Sequence, residues 1–129
     1  MNPSSACRLR SLLPLALASF LAFEASQATL ALADSAPSPT NAQGQVEVVL
    51  KDHRFAPAEV HVAAGKQSQL LIKNQDATAE EFDSKSLKIE KVIAGGGEGV
   101  VRLRELQPGR YPFMGEFHPD TAQGVVVAE

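Results

Sequence analysis

The sequence predicts an all-β protein, a Greek-key β-sandwich of about seven to eight strands. Short runs with an apolar residue at every second position recur between Gln45 and Glu129, which is the signature of half-buried strands. Gly, Pro, Asn and Asp punctuate these runs at close intervals, as turns between short strands require. No stretch of the same region carries a helical period of useful length. Strands this short and this closely spaced bury their apolar faces most simply as two packed sheets.

The first 33 residues stand apart from that pattern. Arg8 and Arg10 form a basic start, Leu12 to Phe23 an apolar run, and Ala31-Leu32-Ala33 a small-residue cleavage signal, together the layout of a secretory signal peptide. The apolar run is short for a membrane span, so cleavage is expected rather than anchoring, and an earlier cut after Ala28 would also fit. Cys7 precedes the apolar run and leaves with it. The remaining chain of about 96 residues has no cysteine, which excludes a disulfide framework, a thiolate metal site and a cysteine nucleophile. It is long enough for one domain with a modest core. Setting aside Arg8, Arg10 and Glu24 leaves 10 Lys and Arg against 14 Asp and Glu, a net charge of about −4. That balance lacks the basic stripe of a nucleic-acid binder and suits cations better than phosphates.

Residues 34–44 are rich in Ser, Pro, Ala, Asn and Gln and read as a flexible leader. The domain itself is expected over residues 45–129. Val46, Val48 and Leu50 alternate as a first strand, and Asp52-His53-Arg54-Phe55-Ala56-Pro57 breaks it. Glu59 to Val62 forms the next strand, closed by Ala64-Gly65-Lys66. Leu70 and Ile72 lead a third, ending at Asn74-Gln75-Asp76. Thr78 to Ser84 places three acids around Phe82 and has poor strand propensity, so only a short strand or irregular segment is expected there. Lys88 to Ile93 is another short strand, stopped by Gly95-Gly96-Gly97. Val101 and Leu103 alternate again, and Pro108-Gly109 turns the chain into Tyr111 and Phe113. Val125 and Val127 close the series.

Between those last two strands, a loop carries Met114, Glu116 and His118 within five residues. Thioether, carboxylate and imidazole are all metal-ligand types. Read alone, the loop is first of all a corner with a solvated His118. Other chemistries find less support. Ser84 and Ser86 have no nearby histidine or elbow motif, Gly95-Gly96-Gly97 lacks the Lys-Ser/Thr of a phosphate loop, and the paired acids lack a substrate pocket.

The run Pro108-Gly109-x-Tyr111-x-Phe113, the loop after it and the closing Gly124-Val125-Val126-Val127 strand resemble the C-terminal signature of the cupredoxins, small periplasmic copper sandwiches. Phe55-x-Pro57-x-x-Val60-x-Val62-x-x-Gly65 and Asn74-x-Asp76 resemble their N-terminal half. The resemblance implies a cupredoxin-like Greek-key fold. It also puts the blue-copper cysteine on Gly115, the following histidine on His118, the axial ligand on Gln123 and the upstream histidine on Glu80. Without a thiolate, a blue type 1 site is not expected. Glu80-Glu81-Phe82, Glu90-Lys91 and Gly115-Glu116-Phe117-His118-Pro119 are similar to the cupredoxin domains of EfeO-type iron-uptake proteins. That likeness implies a periplasmic protein binding copper or iron through acidic residues. Its partner would be a membrane iron permease, with a role in delivery or ferrous iron oxidation.

In that frame His118 becomes the leading ligand. Glu80 and Glu81 are adjacent and point to opposite faces of an extended chain, so only one can face the site. The alignment favours Glu80 and leaves Glu81 to a charged surface. Met114 is either a thioether ligand suited to Cu(I) or a packing residue. His53 is a surface histidine or the third member of a His/His/carboxylate set. Glu90 and Glu116 are outer ligands or part of an acidic rim, and His61 is expected to face solvent. Replacing His118 with alanine is expected to remove most metal affinity and leave metal-free thermal stability little changed. The competing reading is a metal-free interaction module that docks on a permease or partner through Tyr111 and Phe117.

Overall fold

Val46, Val48 and Leu50 turn to one side of strand β1 (Val46–Lys51) and are buried there, while Glu47 and Lys51 face water. This alternation repeats along the chain and sets the architecture. The computed structural model describes residues 36–129, and among them nine strands and no helix. After β1 come β2 (Arg54–Ala56), β3 (Glu59–Val62), β4 (Ser68–Asn74), β5 (Glu80–Ser84) and β6 (Ile89–Ile93). The series ends with β7 (Glu98–Leu103), β8 (Gly109–Gly115) and β9 (Gln123–Ala128). One sheet has the order β2-β1-β4-β7 and the other β3-β9-β8-β5-β6. The β1–β4 and β3–β9 pairs are parallel and the other pairs antiparallel.

The inner faces of both sheets meet in one core. Leu50, Leu70 and Ile72 from the first sheet and Val60, Phe82 and Val126 from the second are fully buried in it. Near one end Phe55, Phe82 and Phe113 pack together, with Phe55 edge-on to Phe113 at 5.1 Å and Phe82 stacked on Phe113 at 4.8 Å. Each buried phenyl contributes about 1.5–3 kcal/mol through removal from water. Phe55 comes from one sheet and its two partners from the other, so this cluster fixes how the sheets align.

Two segments differ from the sequence-based expectation, and a third takes one of the two forms expected of it. Arg54-Phe55-Ala56, expected as a break, is a strand paired with Val49 to Lys51, because Asp52 and His53 alone make the turn. Glu80 to Ser84, expected as a short strand or an irregular segment, is a short strand of five residues, and it lies inside its sheet between β6 and β8. Pairing on both edges and the complete burial of Phe82 override its weak propensity. Part of the expected leader is held against the domain. Ser38 donates its N–H to the His61 carbonyl and accepts the His61 N–H at its hydroxyl, both at 2.9 Å. Asn41 Oδ1 accepts the N–H groups of Gln43 and Gln45, so its side chain replaces solvent as their partner. The expected signal peptide lies outside the described residues.

Candidate metal centre

Lys51 and Arg54 pair across β1 and β2, leaving Asp52 and His53 as a two-residue turn. Both have positive φ, 51° and 55°, as a type I′ hairpin turn demands. Glycine is the usual choice at the second position of such a turn. An aspartate and a histidine are tolerated there better than a branched residue, and the cost is met by hydrogen bonding from outside. Asp76, just past β4, accepts the Asp52 N–H at 2.7 Å and the His53 N–H at 2.9 Å. Its Oδ2 also lies 3.4 Å from His53 Nδ1. The two backbone donors, the His53 N–H above all, hold the Asp76 carboxyl below its ordinary range against the opposing effect of burial.

Asp76 is itself fixed. Its N–H bonds to Asn74 Oδ1 at 3.0 Å and its carbonyl accepts the Gly96 N–H. Asn74 is buried and donates to the carbonyls of Thr78 and Ile93. The expected turn at Asn74-x-Asp76 is thus a brace between β4, β6 and the His53 turn.

Glu80 opens β5 and points inward, as Phe82 does. It is only 1% exposed, and an ionised carboxylate at that depth needs full hydrogen bonding. Oε1 accepts the N–H groups of Phe117 at 2.9 Å and Glu81 at 3.1 Å, and Oε2 lies 2.6 Å from His118 Nδ1. Gly115 makes the room. A Cβ there would come within 2.6 Å of Glu80 Cδ and 2.7 Å of Ala122 Cβ.

His118 lies in the loop between β8 and β9. Gly115 N–H donates to the Ala122 carbonyl, while the N–H groups of Thr121 and Ala122 donate to the His118 carbonyl. These bonds curl the loop tightly and leave the imidazole one-third exposed. Its ring stacks on that of His53, with centroids 3.5 Å apart and planes 15° from parallel. The potential ligand atoms of His53, Glu80 and His118 lie within 4.8 Å of one another. A buried carboxylate at the base and two imidazoles at the mouth make a mixed N/O donor set, and such a set fits Cu(II) or Fe(II).

The other residues singled out from the sequence lie elsewhere. Met114 follows Phe113 on β8 and projects from the opposite side, 37% exposed and in register with Asp83. Glu81 and Glu90 face the same outer side, since Glu81 alternates with Glu80 and Glu90 pairs with Asp83. Glu116 reaches that side too and bounds, with Asp83, Lys85, Lys88 and Glu90, a cavity of about 550 Å³. These residues do not join the histidine cluster. Burial, then the charges of Glu116 and Glu90, push the Glu81 carboxyl upward. Gln123, at the position of the axial ligand, is exposed and donates its amide to the Pro119 carbonyl. His61, expected in solvent, is mostly covered and sits between Glu129 at 2.7 Å and Glu59 at 3.0 Å. Asp76 and Ala122 had no part in the site as read from sequence, and Gly115 stood there only as the position of the missing cysteine. The only available signal was Asn74-x-Asp76, which marks a turn and says nothing of its distant partner.

A family model for the cupredoxin-like domain matches residues 15–128. The uncharacterized protein RP394 of Rickettsia prowazekii (strain Madrid E) is 40% identical over 83 residues, covering 64% of this chain. The chain spans 66% of that relative's length. Among solved structures, the metal-binding domain of the Cu(I)-exporting P-type ATPase CopA of Streptococcus pneumoniae D39, with Cu(I), superposes with a TM-score of 0.58 at 16% identity. The match covers 72% of this chain and 92% of that one. A reduced mutant of amicyanin gives 0.57 at 20% identity, covering 73% and 92%. Auracyanin A, a blue copper protein of Chloroflexus aurantiacus, gives 0.57 at 16% identity, covering 66% and 98%. At these identities the likeness to solved structures is one of fold.

Proposed function

The chain belongs to the cupredoxin-like domain family, and from that premise we propose that it binds a copper or iron ion between His53, Glu80 and His118. The observation that carries this reading is the convergence of those three side chains, from three separate segments, to within 4.8 Å of one another. Copper in the Streptococcus pneumoniae domain and in auracyanin A supports a metal role for the fold. The donor set here is its own. No cysteine follows Cys7, and the carboxylate of Glu80 crowds the position where a side chain at Gly115 would begin. The site is therefore not a blue type 1 centre. Two histidines with one carboxylate suit Fe(II) as well as Cu(II).

In this reading Glu80 supplies charge at the base, held by the N–H groups of Glu81 and Phe117. His53 and His118 are partly exposed and would hold the ion from the solvent side. His118 Nδ1 and Glu80 Oε2, now 2.6 Å apart, would hold the ion in place of their contact with each other. A bound copper ion would supply a one-electron couple. We place the protein in the periplasm, where it would serve a membrane iron permease of the kind associated with EfeO-type cupredoxin domains. There it would present its metal or assist in the oxidation of ferrous iron. Support for this setting comes from the N-terminal sequence and from the resemblance of Glu80-Glu81-Phe82 and Gly115-Glu116-Phe117-His118-Pro119 to those domains.

Anaerobic titration of the domain with Cu(I), Cu(II) and Fe(II) tests the proposal. One-to-one binding that is lost in both His53→Ala and His118→Ala is expected. Binding weaker than about millimolar for every ion, roughly −4 kcal/mol, would overturn it.

A second reading has one observation in its favour. Phe117 is 51% exposed immediately beside His118, an apolar side chain at the same pole. In a metal-free docking module, Phe117→Ala would weaken partner binding and no ion would bind stoichiometrically. Tyr111 supports this reading less well, because its hydroxyl is engaged with the Gln107 carbonyl at 2.8 Å.

A further inference from the structure

The β1–β2 turn is an improbable place for a metal ligand. Two consecutive residues with side chains take left-handed conformations there, each at a cost of order 1–3 kcal/mol. His53 nonetheless stacks on His118 at 3.5 Å, so something outside the turn holds it. The N–H groups of Asp52 and His53 both point to a single carboxylate, that of Asp76, which lies 23 residues from His53 along the chain. The same carboxylate faces His53 Nδ1. Asp76 is anchored in turn through Asn74, which is 2% exposed and bonded to β6 and to the loop before β5.

We propose that Asp76 is a positioning residue for the site. It fixes the Asp52-His53 turn through two N–H groups and faces His53 Nδ1, so that Nε2 is the nitrogen left for an ion shared with Glu80 and His118. This inference rests on the metal-binding reading above. A carboxylate outside the ligand set that orients a ligating histidine selects the tautomer and raises the basicity of the donor nitrogen. Here one group performs that task together with holding the backbone that carries the ring.

The test uses Asp76→Asn, which keeps the shape and one acceptor oxygen but turns an amide toward a donor. Two readouts are combined: the His53 tautomer from side-chain ¹⁵N spectra of the metal-free protein, and affinity for Zn(II) as a redox-silent probe. In the unsubstituted protein, His53 is expected to carry its proton on Nδ1. In Asp76→Asn that preference weakens and the Zn(II) Kd rises by about 10–100-fold. The double variant Asp52→Gly/Asp76→Asn relieves turn strain and separates positioning from stability. If its melting temperature recovers and its affinity does not, the positioning role stands. If affinity returns with stability, Asp76 is only a turn brace and the proposal fails. Should the unsubstituted protein bind neither Zn(II) nor any of Cu(I), Cu(II) and Fe(II), the metal-binding reading falls, and an unchanged tautomer in Asp76→Asn would separately overturn the role of Asp76.

Discussion

The Glu80 carboxyl carbon lies 2.6 Å from where a Cβ on residue 115 would stand, so Gly115 and Glu80 share one space. The exchange is informative because the blue-copper pattern puts its cysteine at residue 115 and its upstream histidine at residue 80. The glycine at residue 115 admits the long acidic side chain of residue 80. In the proposed site a buried carboxylate and two imidazoles, one of them from the β1–β2 turn, make up the donor set.

Gly115→Ala is therefore expected to lower stability by about 1–3 kcal/mol, the usual range for overpacking, and to weaken metal binding by displacing Glu80. In a Glu80→Ala background the cost should shrink without vanishing, since Ala122 Cβ also lies 2.7 Å from the added atom. Urea denaturation of the two single variants and the double variant measures the coupling. Additive effects would contradict the shared space.

His118 has a structural duty as well as a place in the proposed site. The sequence alone implied that His118→Ala would leave metal-free stability little changed. The 2.6 Å contact between His118 Nδ1 and the buried Glu80 revises that. Removing the donor to a buried carboxylate costs about 1–3 kcal/mol. His118→Gln, which can still donate, should recover part of this loss in metal-free denaturation while failing to restore metal affinity.

Asp76 should make stability depend on acidity. Its folded carboxyl sits below the ordinary value of 3.8, chiefly because of the His53 N–H. Its contribution is fully present above that ordinary value and is lost as pH falls through the lower folded value. The stability gap between the metal-free protein and Asp76→Asn should be constant from pH 7 to about 5 and close on further acidification. Denaturation midpoints over this range provide the check, and a gap that widens in acid would refute the assignment.

Glu81 has the opposite sign. Burial and the nearby acids raise its folded carboxyl above 4.5. The favourable contribution is present below the ordinary value and disappears as pH rises through the folded one, so ionised Glu81 is a burden at neutral pH. Glu81→Gln should raise the melting temperature slightly at pH 7, with little effect near pH 4. Metal affinity should be untouched, because Glu81 faces away from the histidines. A large loss of affinity would return Glu81 to the site.

How much of this could be read from the chain depended on whether a signal was local. β1, β4 and β7 declare themselves because one face of each is buried and alternation follows directly. β9 does not alternate: Val126, Val127 and Ala128 are all buried, and the core takes Val126 and Ala128 rather than the expected Val125 and Val127. β5 does not declare itself, because its acids oppose strand propensity and only its two neighbours make it a strand. The turn before β2 was obscured by Asp52-His53 standing where Asn-Gly would have announced it. Opposite orientations for Glu80 and Glu81 followed from the two-residue period, and the structure places them so. Asp76 was invisible as a site residue, since its partners at Asp52 and His53 come near only after β1 and β4 pair in parallel. Met114 had the chemistry of a ligand, but its direction along β8 carries it to the other face.

The most direct test is to load the protein with one equivalent of Cu(II) and count the coordinating histidine nitrogens from ¹⁵N-labelled hyperfine spectra. Two nitrogens are expected, falling to one in His53→Ala and to one in His118→Ala, with no thiolate charge-transfer band. A nitrogen count unchanged in either variant would contradict the assignment of His53, Glu80 and His118 as the centre.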